Sequence, residues 1–125
     1  MSDRVEVTGS TTGEDRGYPR RVLVVNRFRV VEDDAAGFRT ELEAALEVLA
    51  QQKGYADGRL GRNVDDPTLW VMVTRWQDVG SYRRALSTYD VKVGAVRLLS
   101  QALDEPSAYE PLDGELNEPR PRDVG

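Results

Sequence analysis

The run Val22-Leu23-Val24-Val25-Asn26-Arg27-Phe28-Arg29-Val30-Val31 is the most apolar in the chain, and its β-branched residues commit it to a strand. Alternation puts Val22, Val24, Asn26, Phe28 and Val30 on one face, and Leu23, Val25, Arg27 and Arg29 on the other. Asn26 interrupts the first face. An amide taken out of water must find hydrogen-bond partners or cost stability. It is therefore a satisfied structural amide, a bend in the strand, or a group that points into a cleft and touches a ligand.

The rest of the pattern surrounds this strand with alternating elements. Asp33 and Asp34 stand where a helix N-cap belongs, and Phe38, Leu42, Ala45, Leu46 and Leu49 follow at helical spacing. Lys53 and Gly54 are expected to close that helix as a last-turn cation and a C-cap. Residues 55–64 predict a weaker strand, in which Gly58 and Gly61 invite bulges. After a turn at Asp65-Asp66-Pro67, Leu69 to Trp76 forms a second strong strand with Trp70, Met72, Thr74 and Trp76 on one face. Asp78 then caps a helix that turns Tyr82, Ala85 and Leu86 inward. A further helical stretch over about 90–103 shows Val93, Val96, Leu99 and Leu103 on one side. Pro106 stops it, and residues 107–110 add an edge strand.

The order β-α-β-β-α-β predicts an α+β chain of the ferredoxin-like, split βαβ kind, an antiparallel sheet with helices on one face. Leu23, Val25, Val71 and Val73 make the other face too apolar to leave in water. A second sheet from an identical subunit is the simplest cover, giving a homodimer in which Arg27 and Arg29 are expected to pair with the partner. The folded domain is expected over 21–112, between a flexible arm at 1–20 and a flexible tail at 113–125, both rich in polar residues.

Composition removes whole classes of chemistry. The 125 residues include no histidine and no cysteine, so the commonest metal and haem ligands, the usual general base and every thiolate are missing. The net charge of −5 comes with interspersed signs and no basic stripe, which argues against nucleic acid. Glu32-Asp33-Asp34 and Asp65-Asp66 read as a cap and a turn rather than metal ligands. No segment has the roughly 20 apolar residues of a membrane span, and the N-terminus lacks the apolar core of a secretory signal. The expectation is a soluble, cytoplasmic protein with no membrane partner.

With VLVVNRFRVV carrying Asn26, an acidic first helix carrying Phe38, VDDPTLWVMVTRW ending in Trp76, and a closing EPSAYE, the chain resembles the antibiotic biosynthesis monooxygenase family over about residues 22–112. That family contains dimeric ferredoxin-like proteins, among them cofactor-free oxygenases of aromatic polyketides and haem-degrading enzymes. The resemblance implies a dimeric α/β barrel and a cleft between sheet and helices, with Asn26 and Trp76 as catalytic residues. Phe28, Trp70, Met72 and Tyr82 are implied to bind substrate. Two departures stand out. Several of the oxygenases carry a second asparagine four residues before the tryptophan, where this chain has Met72. The haem degraders use a histidine on the next helix, and none is present.

The implied activity is a cofactor-independent monooxygenase that oxidises a polycyclic aromatic metabolite with O2, using no cofactor and no metal. Asn26 and Trp76 each carry an N–H able to stabilise negative charge developing on a substrate oxygen. A non-catalytic binding protein for such a molecule, or a cyclase or isomerase on the same fold, stays open beside it. Core packing is the alternative role for both Trp76 and Tyr82.

Overall fold

Val22–Arg29 forms a strand, β1, at the interior of a four-stranded sheet. The structure, a computed structural model, describes residues 21–112; the arm and tail expected at 1–20 and 113–125 lie outside the described residues. After a single 3-10 turn at Glu32–Asp34 come α1 (Ala35–Ala50), β2 (Tyr55–Arg62) and β3 (Leu69–Trp76). Then follow α2 (Val79–Leu86), α3 (Tyr89–Gly94), α4 (Val96–Leu99) and β4 (Ala108–Tyr109). The sheet order is β2-β3-β1-β4 with every pairing antiparallel, which is the predicted α+β, ferredoxin-like arrangement.

The register fixes which side chains are neighbours. Asn26 lies opposite Met72, Val24 opposite Thr74, Phe28 opposite Trp70, and Val22 opposite Trp76. Leu60 faces Met72 from the other side, and Gly58 faces Thr74. On the helix-facing side Val24, Phe28, Met72, Thr74 and Trp76 are buried against Leu42, Ala45 and Leu49 of α1, Val91 of α3, Ala95 between the two short helices and Leu98 of α4. Each large side chain buried there contributes about 1.5–3 kcal/mol, which makes this layer the main source of stability.

Three local expectations need correction. Helix α1 ends at Ala50 with Gln51 as its C-cap, so Lys53 and Gly54 lie beyond it; Gly54, at φ 92°, is the last residue of the turn into β2. Asp34 stands at the N-cap position but its side chain makes no capping bond. The stretch after α2 is broken at Ala95 (φ −139°), which shifts its phase: Val91, Ala95 and Leu98 are buried, and Val93 is 66% exposed. Asp78 does cap α2, accepting from the backbone N–H of Ser81 at 2.7 Å.

Leu23, Val25, Val71 and Val73 are half-buried on the side of the sheet away from the helices. Around them, the arginines pair within their own chain. Arg27 Nε and Nη2 both donate to Glu105, each at 2.7 Å, and Arg29 Nη1 donates to Asp66 at 2.7 Å and Thr68 at 2.8 Å. Hydrogen bonds from Thr68 and Arg29 draw the Asp66 carboxyl down to a pKa of about 2. Arg75 likewise donates to Asp57.

Candidate functional site

The residue types singled out by the sequence fall on one side of the sheet but form two groups. Asn26, at the middle of β1, projects from the helix-facing side and is half-buried. Its side chain makes no hydrogen bond among the described residues. Half-exposure lets water serve the amide, which is why the strand tolerates it. β1 pairs with β3 without a break at Asn26, so the register carries no bulge there.

Trp76 lies four strand positions away, opposite Val22, about 13 Å along β1 at the usual rise of a strand. It is 1% exposed, and its Nε1–H donates to Thr74 Oγ1 at 2.9 Å. The indole donor expected to face a substrate oxygen is thus engaged inside the protein. Two phenols pack on that indole: Tyr55 edge-on with centroids 5.4 Å apart, and Tyr82 tilted at 5.5 Å. Burial pushes the Tyr82 hydroxyl above its usual pKa, and a hydrogen bond with Ser107 opposes the shift. Burial also raises Tyr55. Both phenols stay protonated at neutral pH and can donate.

At the other end of the sheet Phe28, Phe38 and Trp70 form a second aromatic cluster, with centroids 5.4 Å and 5.9 Å apart. The Trp70 indole N–H donates to the Pro67 carbonyl at 3.0 Å. Met72, fully buried, separates the two clusters beside Asn26. The residues expected to bind substrate are therefore split: Tyr82 belongs with Trp76, and Phe28 with Trp70.

Sequence reasoning passed over Thr74 and Tyr55. Thr74 is a buried hydroxyl in the apolar inward row of β3, and the signal that made Asn26 conspicuous on β1, one polar residue at an inward strand position, would have found it. The Tyr55 hydroxyl sits over Gly58, at 2.4 Å from where a Cβ would stand, and β2 reaches that geometry through an irregularity between Tyr55 and Asp57. No group of three or more Asp or Glu side chains capable of holding a metal occurs among the described residues.

Three surface cavities adjoin this framework. One of about 260 Å³ lies between α1 and the β2–β3 edge and includes Trp70. A second of about 540 Å³ includes Tyr55 and Trp76, and a third of about 700 Å³ lies between the start of α2 and β4. Asn26 lines none of these three. No helix among the described residues is long and apolar enough to cross a membrane.

The family profile described as antibiotic biosynthesis monooxygenase matches residues 21–95. Among solved structures, the chain is 26% identical to SnoaB, a cofactor-independent oxygenase from Streptomyces nogalater, covering 79% of this chain and 99% of that one with a TM-score of 0.65. A conserved protein from Methanosarcina mazei Go1 is 21% identical, covering 73% and 92% with a TM-score of 0.61. Rv0793 from Mycobacterium tuberculosis is 18% identical, covering 76% and 98%, also at 0.61. No curated protein matches the sequence.

Proposed function

Because the chain belongs to the antibiotic biosynthesis monooxygenase family, we propose that it is a cofactor-independent monooxygenase acting on a polycyclic aromatic, polyketide-like metabolite, as a cytoplasmic homodimer built from residues 21–112. The observation that carries the reading is Asn26: a half-buried amide, facing the helices, with no side-chain hydrogen bond among the described residues. A group so placed is available to a ligand.

The chemistry asks for no bound oxidant other than O2. A hydroxylated anthrone loses a proton to solvent, and its anion passes one electron to O2. The resulting radical and superoxide combine into a peroxide anion, which takes a proton back from solvent, and the hydroperoxide so formed loses water to leave a quinone. Overall CH2 becomes C=O, one oxygen atom enters the product, and the other leaves as water. The protein supplies a dry aromatic surface and an N–H for the charged oxygen. Asn26 is the donor in this scheme. Trp76, with its N–H held by Thr74, acts as the wall against which Tyr55 packs edge-on and Tyr82 packs tilted.

One oxygen atom from labelled O2 should appear in the quinone, with uptake measured on 1,8-dihydroxyanthrone in the presence of a chelator. Asn26→Ala should lower kcat about tenfold to a thousandfold, as loss of a single oxyanion donor does. The same change should cost no more than about 1–2 kcal/mol of stability. A wild-type protein that takes up no oxygen with any hydroxylated anthrone or naphthol, yet binds them, is a binding protein. The buried Met72 beside Asn26 and the engaged indole N–H of Trp76 favour that second reading.

A further inference from the structure

The cavity between α1 and the β2–β3 edge is assembled as a ligand site in its own right. Its floor is apolar: Leu42, fully buried, with Leu60 and Trp70 beside it. Arg39 and Glu43 of α1 stand on one wall, and Arg62, the last residue of β2, on the other. At about 260 Å³ it exceeds the ~150 Å³ that suffices for a benzene ring in an apolar cavity, leaving room for a two-ring body.

Its charges are unequal. Arg39 Nε donates to Glu43 Oε2 at 3.0 Å, so those two side chains largely cancel. The Arg62 side chain makes no hydrogen bond or ion pair among the described residues. The cavity thus offers a flat apolar floor and one uncompensated guanidinium, whose planar fork matches a carboxylate. We propose that it binds a small aromatic carboxylate, with the rings on Leu60 and Trp70, which cover Leu42, and the carboxylate against Arg62.

This site is separate from Asn26. Leu60 lies beside Met72 and Met72 beside Asn26, so two strand spacings, about 10 Å, intervene, with the fully buried Met72 between. The proposal therefore does not depend on the oxygenase reading, although it uses Trp70, one of the residues that the family resemblance implied for substrate.

Nitrogen-15 NMR titration of the full chain with 2-naphthoate tests it, with uncharged 2-naphthamide as the matched probe. Naphthoate should bind with a Kd of about 1 mM, the range set by its atom count. Shifts should concentrate at residues 39–43 and 60–62 and at the Trp70 indole, and leave the Trp76 indole unmoved. Naphthamide should bind about three- to tenfold more weakly, and Arg62→Ala should impose a similar loss on naphthoate. Glu43→Gln, which releases Arg39, should tighten naphthoate about two- to threefold. The two-probe comparison needs no variant and so survives any folding defect. Equal affinity for the two probes, an unchanged affinity in Arg62→Ala, or shifts centred on the Asn26 side-chain amide would overturn the assignment.

Discussion

At the scale of the residue, the pairing of Trp76 with Thr74 decides what the tryptophan can do. Its indole N–H is buried and points at a hydroxyl two residues back along β3. Thr74→Val removes the acceptor and leaves that N–H unsatisfied in the core, which should cost about 1–3 kcal/mol. Trp76→Phe removes the donor instead, and the orphaned hydroxyl should cost a similar amount. Combining the two should cost less than their sum, because the pair leaves together. Urea denaturation of the three variants measures this. If Trp76 serves only as a wall, Trp76→Phe should lower kcat far less than Asn26→Ala. An equal loss in both variants would mean that the indole leaves Thr74 during turnover and serves as a second donor. Asn26 itself was legible because a lone amide in an otherwise apolar row stands out. The Trp76–Thr74 bond was not, since alternation tells which residues share a face and not which of them bond.

At the scale of the element, the start of β2 is clamped to the start of α2 through a glycine. Gly54 adopts φ 92°, its carbonyl accepts from Gln77 N–H at 2.7 Å, and a Cβ there would lie 2.3 Å from Ser81 Cβ. Gly54→Ala should therefore destabilise by about 1–3 kcal/mol, from the left-handed backbone and the clash together. Adding Ser81→Gly should recover the part due to the clash and not the part due to φ, as read from denaturation midpoints. Both strong strands, α1 and α2 were readable, because β-branched runs and a capping Asp78 leave little alternative. The segment after α2 departs from its periodicity at Val93 for a different reason. Gly94 packs so closely on α1 that a Cβ would stand 2.9 Å from Val48 Cγ2, and the backbone breaks at Ala95. A contact with a helix more than 40 residues earlier sets that phase, and periodicity within the segment carries no trace of it.

At the scale of the whole molecule, the side of the sheet away from the helices has the anatomy of an interface. Leu23, Val25, Val71 and Val73 occupy its middle, with Arg27–Glu105, Arg29–Asp66 and Arg75–Asp57 pairs around them. An apolar centre within a polar border is how subunit contacts are commonly organised. The intrachain pairs bear on association. Arg27 and Arg29 bring their own counter-charges to the border, so a second copy docking there would meet neutral pairs and need not supply matching acids. In a homodimer through this side, the apolar centre would then be the main source of affinity. Val73, adjacent to Val25 on one side and to Arg59 on the other, lies in that centre. The wild type should sediment as a homodimer at micromolar concentration. Val73→Lys should sediment as a monomer with an unchanged circular dichroism spectrum, because it brings an unpaired charge into the contact of both copies. Ligand binding at Asn26, on the opposite side of the sheet, should persist in that monomer. A wild-type monomer at these concentrations would leave the apolar patch to another partner, whereas a dimer indifferent to Val73→Lys would place the contact on a different surface.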